Sequence, residues 1–166
     1  MILGIETSGP LTGVGLLGPG VEAELWCREP FSHVEKLNVL LGWLSEFVPL
    51  KKIEAVALSV GPGYFTSLRV GAAAAKALGM SLGIKVVGVN TLRALLEEVS
   101  EPFKIAALDA KKGQVYALGV RDGEEVIPLG IYHPEELMDR ALGFGFPVFV
   151  GDGAARYGLE PRVGPE

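Results

Sequence analysis

One cysteine, two histidines, two asparagines (Asn38 and Asn90) and one glutamine (Gln114) are all that this 166-residue chain holds of those types. The lone Cys27 excludes an internal disulfide and any multi-cysteine metal site, suits a reducing compartment, and reads as an ordinary strand residue. Scarcity of the heat-labile residues is a depletion seen in thermophilic proteins. The histidines are too few and too far apart for a paired-imidazole helix site, which needs them at i and i+4: four residues after His33 stands Leu37, and His133 precedes Pro134 as a helix-entry residue. No Gly-X-Ser-X-Gly elbow occurs, and Cys27 has no catalytic partner nearby in sequence, so an autonomous hydrolase is not expected.

Long apolar runs are missing too. Hydrophobic residues make up 49% of the chain and mean hydropathy is +0.36, yet Gly, Pro or charge breaks each run before the ~20 residues a spanning helix needs. The start, Met-Ile-Leu-Gly-Ile-Glu, lacks a basic leader region and carries an acid at Glu6, so we expect no export, no membrane anchoring and a cytoplasmic location. With 15 basic against 20 acidic residues the net charge is −5, and the basic residues are scattered. A long phosphate backbone is therefore not expected to bind this chain alone, since that affinity comes from clustered Lys and Arg.

What is present is concentrated in residues 54–71. Val56, Leu58 and Val60 mark a strand covered on both faces. Gly61-Pro62-Gly63 then forbids continuation of either strand or helix, and Thr66 or Ser67 can cap a helix that follows. Exposed amides at such a helix start attract anions, which makes a phosphate site the first reading of this corner.

Around that corner the chain reads as strands over 2–6, 12–17 and 21–28, a helix from 33 to about 47 capped by Ser32, a strand over 53–60, a helix over 66–82, a strand over 84–89 and a helix over 91–99. After Glu101-Pro102 the pattern restarts: strands over 103–109, 114–120 and 125–129, a helix near 134–140, and residues 148–150 leading into Gly151-Asp152-Gly153. We read an internal duplication, with 2–7 matching 105–110, His33 matching His133, and Ser59 to Gly63 matching Phe149 to Gly153. The expected organisation is a first lobe over 1–100 and a shortened second lobe over 101–166 that lacks its last βα units.

Two βββαβα-type lobes describe the α/β fold of the actin-like ATPase (ASKHA) superfamily. Within it, Ile2-Leu3-Gly4-Ile5-Glu6-Thr7-Ser8, His33-Val34-Glu35-Lys36-Leu37, the string from Gly61 to Gly71 (Gly-Pro-Gly-Tyr-Phe-Thr-Ser-Leu-Arg-Val-Gly) and the stretch from Leu108 to Ala117 closely resemble the bacterial TsaB (YeaZ) family. That resemblance implies a role in making N6-threonylcarbamoyladenosine beside the tRNA anticodon, as a non-catalytic partner that scaffolds and activates TsaD, the related metal-bearing transferase. It also implies the ATPase TsaE in the same assembly, tRNA reached only through the complex, and a homodimer when the chain is alone.

The residues themselves suggest where such partners would sit. Phe65, Arg69, Ala72, Ala73, Lys76 and Met80 share one face of the second long helix, with small residues between two cations, while Ala74, Ala75, Leu78 and Leu82 serve the sheet. On the helix from His33, one stripe (Val34, Leu37, Leu41, Leu44, Val48) suffices to pack inward. Leu40, Trp43 and Phe47, with Leu37 at the margin, are then left for a partner. Pairing both helices with their counterparts would bury roughly 800 Å² per subunit.

Glu6, Thr7, Ser8 and Asp109 stand at equivalent strand ends, where the leading reading is that the acids satisfy turn amides and cap the strands and the other is a residual nucleotide site at the partner interface. The Gly-rich phosphate hairpins around them are thin, because Ala110-Lys111-Lys112 follows Asp109. No cofactor is expected on this chain alone, with ATP or ADP placed at most at the shared complex interface, and no metal. Two enzyme readings stand as alternatives: a small actin-like ATPase or kinase using Glu6, Thr7 and Asp109, and a metallopeptidase-like hydrolase.

Overall fold

The computed structural model describes residues 1–159. They divide into two compact units, Met1–Asn90 and a second beginning at Thr91. In the first, β1 (Ile2–Glu6), β2 (Thr12–Gly18) and β3 (Val21–Cys27) form an antiparallel meander. Helix α1 (His33–Phe47) then crosses over to β4 (Ala55–Ser59), and α2 (Phe65–Leu82) crosses from β4 to β5 (Lys85–Val89). Both crossovers join parallel strands, so the sheet order is β3-β2-β1-β4-β5. The crossover helices cover one face of the sheet, where Leu3, Ile5, Val14, Leu16, Val56 and Leu58 meet Leu37, Leu40, Leu44 and Ala75.

The second unit opens with α3 (Thr91–Glu97), which the sequence-based division keeps with the first lobe. It continues through β6 (Phe103–Lys111), β7 (Gln114–Arg121), β8 (Glu124–Tyr132), α4 (Pro134–Leu142), β9 (Val148–Val150) and α5 (Asp152–Tyr157). Its sheet order, β8-β7-β6-β9, repeats β3-β2-β1-β4, again with the meander antiparallel and the last strand parallel. The duplication read from the sequence is therefore a duplication of topology, and the fold is actin-like. Ile105, Ala107, Val115, Ala117 and Ile127 pack against Leu137, Ala141 and Ala154 on one face of this sheet. Leu92 and Leu96 of α3 close on Ala106 and Leu118 of the other.

Four expectations need correction. The second corner is followed by a short helix, α5, so the counterpart of α2 is present and not lost. Helix α2 starts at Phe65, with Tyr64 as its N-cap and no side-chain cap, because Thr66 and Ser67 already lie inside the first turn. Ser32 does not cap α1 with its side chain either; its hydroxyl donates to the Glu29 carbonyl at 2.8 Å. Strand β8 (Glu124–Tyr132) begins one residue before the expected stretch and runs three past it, and tolerates Pro128 because it is an edge strand with a register irregularity there.

Candidate functional site

Helix α2 can lie close to its sheet because its inward positions are small. Ser67, Gly71, Ala75 and Gly79 recur every four residues and are all buried. A Cβ at Gly71 would stand 2.4 Å from Thr7 Oγ1, and one at Gly79 would stand 2.7 Å from Val86 Cγ2. That approach turns Phe65, Arg69, Ala72, Ala73, Lys76 and Met80 outward, all of them exposed as the spacing predicts. The Arg69 guanidinium lies 3.8 Å from the Phe65 ring centroid, so cation and ring form one preformed element.

On α1 the outward set differs from the expected one. Trp43 and Phe47 are exposed by 54% and 78%, whereas Leu37 and Leu40 keep only 2% and 4% of their surface and belong to the core. The inward stripe is His33, Leu37, Leu40 and Leu44. It takes Leu40 for the sheet and swings Val34 out to solvent. The residue that sequence reasoning missed is Val39, exposed one turn before Trp43; the i, i+4, i+8 series Val39, Trp43, Phe47 was the available signal. Helices α1 and α2 pack side by side on the same face of the sheet, so their outward residues form a neighbouring pair of apolar strips.

The strand-end turn after β1 is occupied by its own chain. Thr7 is fully buried and its Oγ1 donates to the Ser67 carbonyl at 2.9 Å. Ser8 donates its hydroxyl to Glu6 Oε1 at 2.6 Å, and its amide reaches the same oxygen. The Gly61-Pro62-Gly63 corner seats on this turn: Tyr64 N donates to the Ser8 carbonyl at 2.8 Å, and a Cβ at Gly63 would come within 2.4 Å of that oxygen. Gly61 itself has φ +107°, which favours glycine. The corner's residues are spent on holding β1 and the start of α2 together.

Asp109 is not placed as Glu6 is. In β1, Leu3 and Ile5 face the helices and Glu6 lies on the opposite side with Gly4; in β6, Ile105 and Ala107 face α4 and α5, and so does Asp109. The sequence match of Glu6 with Asp109 therefore does not carry over to the faces they occupy, since a one-residue slip in a strand reverses the face. Asp109 Oδ1 accepts from Lys111 N at 2.9 Å and from the Tyr157 hydroxyl at 3.1 Å. Its Oδ2 accepts from Lys111 Nζ at 2.8 Å, with Arg156 at 3.4 Å. Burial raises its pKa, but the hydrogen bonds from Lys111 and Tyr157 and the Lys111 charge together hold it below the ordinary carboxylate value.

His33 is buried, with Nδ1 2.8 Å from Thr12 Oγ1 and Nε2 without a partner. Burial lowers its pKa, partly offset by the Glu6 charge and the Gly9 carbonyl. Among the described residues no group of three or more His, Cys, Asp and Glu is placed to hold a metal ion. No helix there is long and apolar enough to cross a membrane.

Comparison with known proteins adds to this geometry. The family model for TsaD, tRNA N6-adenosine threonylcarbamoyltransferase, matches residues 32–147. A tRNA N6-adenosine threonylcarbamoyltransferase of Tropheryma whipplei (strain Twist) is 42% identical over 110 residues, covering 55% of this chain and 27% of that protein. The tRNA threonylcarbamoyladenosine biosynthesis protein TsaB of Buchnera aphidicola subsp. Acyrthosiphon pisum is 35% identical over 96 residues, 55% of this chain and 43% of that one. The chain thus spans less than half the length of these two relatives. Among solved structures, YeaZ from Pseudomonas aeruginosa superposes with a TM-score of 0.71 at 26% identity, over 81% of this chain and 67% of YeaZ.

Proposed function

Since this chain belongs to the TsaD family of tRNA N6-adenosine threonylcarbamoyltransferases, with TsaB and YeaZ as relatives, we propose that it serves tRNA threonylcarbamoyladenosine biosynthesis as a non-catalytic partner. The observation that carries this reading is the outward surface of α1 and α2. Trp43, Phe47, Phe65 and Met80 expose large apolar area around the small Ala72 and Ala73, with Arg69 and Lys76 beside them. Such a surface loses little entropy on docking at its small centre and buries aromatic anchors at its margins. The partner that fits is a TsaD presenting the related pair of helices, and a second copy of this chain takes its place when TsaD is absent.

A supporting role also agrees with the strand ends. Thr7 braces α2 and Asp109 braces α5 through their side chains, while Ser8 donates to Glu6 Oε1 within the turn. In this reading TsaE joins the assembly, tRNA is reached through the complex, any ATP or ADP binds where the partners meet, and the protein works in the cytoplasm. The test is to mix the chain with its cognate TsaD and measure mass in solution. A one-to-one complex that Ala72→Arg dissolves is expected. A complex indifferent to that change would remove this helix face from the proposal.

A further inference from the structure

The face of the first sheet opposite α1 and α2 carries a trough that the partner reading leaves unused. Its volume is about 230 Å³, and Gly4, Gly13 and Gly15 lie along it, with Ala57, Ser59 and Val89 on the far strands. Gly13 has an internal reason to be glycine: a Cβ there would meet the Trp26 ring at 2.6 Å, so the indole lies flat on it. Gly4 and Gly15 have none. They pair with each other across β1 and β2, neither has a positive φ, and a Cβ would meet nothing closer than 3.8 Å at Gly4 and 3.4 Å at Gly15. Glycine inside a strand weakens it, and one not demanded by neighbouring atoms marks a place where something else comes close.

The lining states what that something is. Among the described residues, Glu6 and Glu24 are the only charged ones lining the trough, and no Lys or Arg lines it. Trp26 is oriented, its Nε1 donating to Glu24 Oε2 at 3.1 Å, so an indole face and a carboxylate stand together. Ser59 is 6% exposed, lies on the trough side of β4, and its hydroxyl is buried without a hydrogen-bond partner. An unpaired buried hydroxyl costs stability unless something completes it.

We infer that this trough binds an ammonium or guanidinium group on an aliphatic body, its charge between Glu6, Glu24 and the Trp26 ring and its body over the glycine floor. Carboxylates and an aromatic face select a cation together, a flat floor admits a slim stem, and Ser59 Oγ can accept one of the donated hydrogens. The group has two chemical sources, a free small amine or guanidine and a Lys or Arg side chain on a partner protein.

The test uses the Trp43→Phe chain, in which Trp26 is the single tryptophan, titrated with butylguanidinium, with neutral butylurea, and with an alanine-rich helical peptide bearing one arginine. Butylguanidinium should change Trp26 emission saturably, with half-saturation at least fivefold below that of butylurea. Gly4→Val, which fills the floor with a good strand former, should abolish the response while the thermal midpoint holds, and Glu6→Gln should weaken it at least threefold. Tighter binding of the peptide than of butylguanidinium identifies a partner side chain as the source, and the reverse a free cation. The inference is overturned by no saturation up to about 10 mM of either cationic probe, by equal affinity for butylurea, or by an unchanged response in Gly4→Val. These outcomes are independent of whether TsaD binds at α1 and α2.

Discussion

Thr7 and Gly71 share one small volume: Thr7 Oγ1 bonds the Ser67 carbonyl of α2 at 2.9 Å, and a Cβ at Gly71 would stand 2.4 Å from that oxygen. The β1 turn and the helix are thereby locked at a single spacing. Neither atom is the free end of a long side chain, so no cheap movement relieves an added methyl.

Gly71→Ala is expected to lose about 1–3 kcal/mol, the usual cost of overpacking a tight contact. Urea titration would show it as a lower midpoint at unchanged slope. Because α2 carries the proposed interface, TsaD binding should weaken as well. Gly4→Ala, whose added methyl meets only Gly15 backbone at 3.8 Å, should be neutral or add up to about 1 kcal/mol.

Leu37 and Trp43 provide a contrast on one helix. Leu37→Ala should cost about 2–5 kcal/mol by leaving a cavity in the first core. Trp43→Ser removes an exposed ring and should change stability by less than about 0.5 kcal/mol. The partner reading expects Trp43→Ser to weaken dimer or TsaD complex formation at least tenfold, measured by analytical ultracentrifugation. Equal assembly of both variants would count against the α1 strip.

Asp109 makes stability depend on acid. Its folded pKa lies below the unfolded value, so the stabilisation is complete above the unfolded carboxylate pKa of about 3.9 and is lost as pH falls toward the folded one. Asp109→Asn should lower stability at pH 7 by about 2 kcal/mol, through lost charge-assisted bonds, and should flatten the decline below about pH 4. Denaturation midpoints across pH would check both.

His33 acts in the same direction at a higher pH. Its folded pKa is lowered, so both states are neutral above the unfolded value of about 6.5, and below it only the unfolded chain takes up the proton. Stability should therefore decline from about pH 6.5 downward, until the folded pKa is passed. His33→Gln should remove that slope; a variant that keeps it would assign the slope to other groups.

By itself the sequence determined the two-part α/β plan, since alternating and continuous apolar runs punctuated by Gly and Pro dictate strands and helices locally. The outward face of α2 was legible from helical spacing, whereas Ser67, Gly71 and Gly79 emerged as inward positions only in the packed structure. Its family was legible in the string from Gly61 to Gly71. The phase of α1 was not, because two overlapping apolar stripes satisfy the same periodicity and only packing on β1 and β2 decides that Leu40 goes in and Val34 out. Nor was the side on which Glu6 and Asp109 stand, since a strand reverses its faces at every residue and a match by similarity tolerates a slip of one. The trough beside Gly4 and Gly15 was hidden entirely. Glycines that look alike in sequence differ in what surrounds them, and only the tertiary structure separates Gly71, where an added Cβ would collide with Thr7, from Gly4, where it would make ordinary contact.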